Sequence, residues 1–122
     1  MSADNGIYIL ETPRPPIKTG NMYTNQKGYD YRVAHCTAID NIDYSDLYLP
    51  LLFGNSKVYS SHDEALKAAI EIEREIKENG WFTEYGINTI KKNVYFPNMT
   101  ADEARKALDV YVMNTIEVED EE

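Results

Sequence analysis

The sequence predicts an α+β fold, an N-terminal antiparallel sheet followed by two C-terminal amphipathic helices, and three observations carry that expectation. Two stretches near the N-terminus are rich in β-branched and aromatic residues. Two Ser/Thr-x-x-Glu capping boxes stand further along, and an apolar stripe at helical spacing follows each of them.

The first strand is expected where the turn-forming Asp4-Asn5-Gly6 runs into Ile7-Tyr8-Ile9-Leu10, ending at Thr12-Pro13-Arg14-Pro15-Pro16. Residues 17–28 are rich in Asn, Thr, Lys and Gly without periodicity and read as a loop. Residues 29–39 form the longest strand candidate, with Tyr31, Val33, His35, Thr37 and Ile39 on one face. Residues 48–53 and 57–59 flank Gly54-Asn55-Ser56 as a hairpin whose first piece Pro50 confines to a sheet edge. Ser61-His62-Asp63-Glu64 starts a helix whose apolar side is Ala65, Leu66, Ala69, Ile72 and Ile76, and Asn79-Gly80 stops it. Residues 84–90 and 93–96 look extended. Thr100-Ala101-Asp102-Glu103 starts the second helix, whose stripe of Ala104, Ala107, Leu108 and Tyr111 runs to about Met113. An acidic tail, disordered at its end, is expected over residues 117–122.

At 122 residues the chain suits one domain, residues 1–122, with a core of ordinary size. Its 12 Lys and Arg against 21 Asp and Glu give a net charge of -9, which repels nucleic-acid duplexes and anionic membranes. No apolar run reaches the roughly 18 residues of a membrane span, and the N-terminus lacks the basic region of a signal peptide, so a cytoplasmic location is expected. Cys36 is the only cysteine, which rules out an internal disulfide.

Chemistry is not visible in the motifs. There is no G-x-x-x-x-G-K-S/T, G-x-G-x-x-G, G-x-S-x-G, H-E-x-x-H or C-x-x-C. His35 and Cys36 are adjacent on a strand and point to opposite faces, so they form no thiolate-imidazole pair, and Cys36 reads as a buried structural residue. His62, in a first helical turn beside two acids, is expected to be exposed; no metal, no cofactor and no catalytic residue is predicted. Lys67 with Glu71 and Glu73 with Lys77 have the spacing of ordinary helical ion pairs. Binding is therefore expected in place of catalysis.

Ten tyrosines, Trp81 and three phenylalanines suit a half-exposed sheet, a subunit interface or a stacking pocket. Trp81-Phe82, just after a helix stop, is the pair hardest to bury at once, and so a candidate for stacking a ligand. A phosphate-bearing ligand would need positioned cations, for which Arg32, Lys91, Lys92, Arg105 and Lys106 are available. Arg105 has an equally good alternative in an intrahelical pair with Asp109.

Residues 2–10, SADNGIYIL, together with residues 31–41, YRVAHCTAIDN, resemble the Thoeris anti-defence protein 1 family, and the likeness extends over nearly the whole chain. The resemblance implies a small phage protein that binds glycocyclic ADP-ribose, the second messenger of TIR-domain enzymes, without cleaving it. It also implies an N-terminal antiparallel sheet with C-terminal helices, a homo-oligomer of dimers building a hexamer, and in some members separate sites for cyclic trinucleotides. The aromatic, asparagine and arginine contacts of that family are matched here to Phe82, Asn88 and Arg105, with Lys27 or Arg32 as a further phosphate contact. Two other readings stand beside it: an acidic protein-binding inhibitor of a host defence enzyme, and an enzyme acting on cyclic nucleotides.

Overall fold

The computed structural model describes residues 5–120, with side chains through Val110. The expected start of the first turn at Asp4, and Glu121-Glu122 of the expected tail, lie outside the described residues. The elements are β1 (Gly6–Pro13), β2 (Ile17–Thr19), β3 (Met22–Thr24), β4 (Tyr29–Cys36), a 3-10 turn (Ile39–Asp43), α1 (Tyr48–Phe53), α2 (His62–Glu78), β5 (Ile87–Lys91) and α3 (Ala101–Asp120). The fold is the expected α+β, built on an antiparallel pair of N-terminal strands.

β1 is the middle strand. It pairs antiparallel with β4, Gly6 facing Cys36 and Pro13 facing Tyr29, and parallel with β5, Ile7 beside Ile87 and Glu11 beside Lys91. Helices cover both faces of this sheet, so β1 reads as a near-continuous apolar run and is buried from Gly6 through Leu10. On one face Ile7, Ile9 and Val33 pack against Ala65 and Ala69, small residues that let α2 lie close to the strands. On the other face Tyr8 and Leu10 pack against Ile42, Leu49 and Phe53.

Both helix starts behave as their sequences dictate. The Ser61 hydroxyl accepts from the Glu64 amide at 3.2 Å, and the Glu64 carboxylate takes the amide and hydroxyl of Ser60. At α3 the capping box closes fully: Thr100 Oγ1 accepts from the Glu103 amide at 3.1 Å and Glu103 Oε1 accepts from the Thr100 amide at 3.4 Å.

Residues 48–53 are helical, not an edge strand. Leu49, Pro50 and Phe53 face inward at one-turn spacing, and Pro50 falls in the first turn, where the missing N–H costs no hydrogen bond. Residues 17–28, expected as a loop, contain the β2–β3 hairpin, with Thr19 opposite Met22 and the turn taken at Gly20, whose φ is +63°. β4 stops at Cys36 because β1, starting at Gly6, offers no partner beyond it. β5 stops at Lys91, and residues 93–96 are not a strand: the Lys92 amide reaches the Glu11 carbonyl at 2.9 Å, and Pro13 has no N–H to continue the ladder. α3 runs past Met113 to Asp120, since nothing between Ala101 and Asp120 breaks a helix, so residues 117–120 are helical and not a tail.

Candidate functional site

Arg32 and several of the aromatics line three cavities at opposite ends of the sheet. The largest, about 610 Å³, is a groove between the Pro15-Pro16 end of β1, the end of α1 and the start of α3. Arg32 projects from β4 into it, and its guanidinium lies 3.7 Å from the centroid of Phe96. Burial lowers the Arg32 pKa, an effect partly opposed by the neighbouring Asp30 carboxylate. Asp30 is itself engaged by Arg14 Nε at 3.5 Å. The only hydrogen bond of the Arg32 guanidinium among the described residues is a long one, 3.5 Å to Thr12 Oγ1. Most of its donors are thus free to meet an anion over a flat aromatic face, in a groove also lined by the Asp30 and Glu103 carboxylates, where the Ser56 and Thr100 hydroxyls already donate to the Lys57 carbonyl and to Glu103.

Gly54 sets the shape of this groove. It has an ordinary helical φ of −65°, but a Cβ there would meet the Pro50 carbonyl oxygen and the Ala101 amide nitrogen, the latter at 3.1 Å. The absence of a side chain is what allows α1 to abut the start of α3.

A second cavity, about 570 Å³, lies at the other end of the same face and contains Asn88 with Tyr8, Tyr85, Thr37, Ile39 and Asp40. Asn88 Nδ2 donates to the Tyr85 carbonyl at 2.8 Å, so part of its amide holds the turn before β5. A third, about 310 Å³, lies at the C-terminal end of α2, where Trp81 and Phe82 remain 74% and 68% exposed beside His35, Asn5, Ile76 and Asn79. The expected difficulty of burying both aromatics is thus met by burying neither.

The sequence-derived site residues do not share one cavity within a single chain. Arg32 is in the first, Asn88 in the second and Phe82 in the third. Lys27 is exposed before β4, its carbonyl accepting from Arg14 Nη1 at 3.3 Å. Arg105 is exposed on α3 and makes no ion pair with Asp109 or any other described residue. Sequence reasoning missed Phe96 as the partner of Arg32, because their contact joins segments far apart in the chain.

His62 is half-buried and not simply solvated. Its Nε2 lies 2.9 Å from Thr89 Oγ1, and its ring meets Tyr31 edge-on at 5.9 Å. Tyr31 donates to Glu11 Oε1 at 2.9 Å, and its pKa is raised, first by burial and then by that carboxylate. Cys36 faces away from His35, half-buried against the cluster that contains Tyr8, and burial pushes its thiol up to about 11. Of the expected α2 pairs, Glu73 with Lys77 is present at 3.6 Å, while Glu71 is bonded to Arg74. Among the described residues no group of three or more His, Cys, Asp or Glu could hold a metal ion, and no helix is long and apolar enough to cross a membrane.

Comparison of the chain with protein-family models, with curated proteins and with solved structures finds no match.

Proposed function

We propose that the chain is a sponge that binds glycocyclic ADP-ribose without cleaving it and so withholds the signal from a TIR-dependent defence. The observation that carries this reading is Arg32, a partly desolvated guanidinium stacked on Phe96 in a groove of about 610 Å³. An aromatic-backed cation is suited to a nucleotide diphosphate, and a groove of that size suits a ligand with two sugars and a base. The resemblance at residues 2–10 and 31–41 supplies the identity of the nucleotide.

In this reading copies of the chain assemble as a homo-oligomer, dimers building a hexamer. Phe82, exposed in the third cavity, then serves ligand held by another copy, while the exposed Lys27 and Arg105 adjoin the Arg32 groove, Lys27 through Arg14 and Asp30 and Arg105 just beyond Glu103. Asn88 anchors the turn that carries Tyr85. Sequestration requires only that the ligand be held, so no base or nucleophile is needed at the groove.

The test is to mix the chain with glycocyclic ADP-ribose, remove free ligand, denature by heat and analyse what is released. Intact ligand is the expected product, and Arg32→Ala should release little or none. A cleaved product would make the chain an enzyme, and no retained ligand at all would overturn the proposal.

A further inference from the structure

The second cavity has features that the first lacks. Its floor is Tyr8, which is 7% exposed and whose ring lies back over Gly6: a Cβ at Gly6 would sit 3.1 Å from Tyr8 Cζ and Oη. The backbone of Gly6 is not in the left-handed region, so this glycine is explained by the room it leaves for the ring. One wall is Tyr85, 53% exposed, on a turn fixed by the Asn88 amide and by the bond from the Tyr85 N–H to the Asn5 carbonyl at 3.1 Å. The opposite wall is Thr37, Ile39 and Asp40, where the chain leaves β4 for the 3-10 turn.

Asp40 is the only charged residue lining this cavity, and it makes no ion pair among the described residues. A cavity with two tyrosines, one carboxylate and no cation disfavours phosphate. It favours a positive charge carried on carbon-rich groups, which gains from the exposed Tyr85 ring and from the carboxylate together. We infer that the Tyr8–Tyr85–Asp40 cavity binds a small organic cation of the alkylammonium class. The site is separate from the Arg32 groove and does not depend on what that groove holds.

Choline and its neutral carbon isostere 3,3-dimethylbutan-1-ol are the probes, titrated into the ¹⁵N-labelled full chain while the amides of Tyr8, Thr37, Asp40 and Asn88 are followed. Saturable shifts with choline are expected, with the isostere about tenfold weaker because it lacks the charge. Tyr85→Ala, a change at an exposed side chain, should abolish the shifts, and Asp40→Asn should weaken choline by about tenfold while leaving the isostere unchanged. Equal binding of the two probes would show an apolar pocket and overturn the inference. So would the absence of saturation up to about 50 mM choline in a chain whose spectrum is folded. Arg32→Ala should leave choline binding intact, so failure here and failure of the sponge reading are distinguishable.

Discussion

Gly54→Ala offers a test in which a general rule and this structure give opposite signs. The φ of −65° at Gly54 is one that alanine adopts freely. On backbone entropy alone the substitution should therefore stabilise by about 0.4–1 kcal/mol. The added Cβ, however, would run into the Pro50 carbonyl and stand 3.1 Å from the Ala101 amide. Both neighbours are backbone, so neither can swing aside: the Pro50 carbonyl belongs to α1 itself and the Ala101 amide to the start of α3. Overpacking of this kind costs about 1–3 kcal/mol, which leaves a net loss of roughly 1–2 kcal/mol. For a chain of 122 residues that corresponds to a fall in Tm of about 3–10 °C. Thermal unfolding followed by circular dichroism, with urea titration to check that the slope is unchanged, measures it. A Tm equal to or above that of the parent would refute the tight packing of Gly54 against Pro50 and Ala101, and with it the shape assigned to this end of the Arg32 groove.

Other consequences are more local. Phe96→Ala should weaken ligand retention and lower stability by about 1 kcal/mol through loss of the stacked guanidinium, whereas Phe96→Tyr should preserve both. Ser61→Ala removes the hydroxyl that accepts from the Glu64 amide and should cost about 1 kcal/mol in urea unfolding. Cys36 holds its proton in the folded chain to about pH 11, above its ordinary value near 9. The unfolded chain therefore loses that proton first as pH rises, so the Cys36 contribution to stability is complete below pH 9 and disappears as pH climbs through about 11. Native chain at pH 8 should accordingly react slowly with a disulfide reagent and quickly in urea; fast labelling of the native state would contradict the packing of Cys36.

Much of the fold was legible because its signals are local. Each capping box needs only four consecutive residues, and the stripe of Ala65, Leu66, Ala69, Ile72 and Ile76 needs only helical spacing. The misreading of Tyr48–Phe53 has a physical cause: Pro50 lowers strand and helix propensity alike, and only its place in the first turn makes the helix permissible. The β2–β3 hairpin was signalled by Gly20-Asn21 between two short runs, a pattern obscured by the polar residues around it. The Arg32 groove could not be read at all. It depends on Phe96 meeting a strand residue from a distant segment, and no spacing rule reaches that far. Arg32 itself was singled out only for its charge, while Phe82 and Asn88 were placed in different cavities by the path of the chain.

The central position of β1 also sets an order of events. One of its edges is taken by β4, close behind it in the chain, but the other is filled only by β5, after α2 has crossed the sheet. During synthesis, then, the most apolar strand of the molecule stands with one open edge until Lys91 has emerged. The β1–β4 pair and α2 can form early, whereas the last ladder carries the longest loop closure and should set the folding rate. A chain cut short before Ile87 would keep α1 and α2 and lose its solubility.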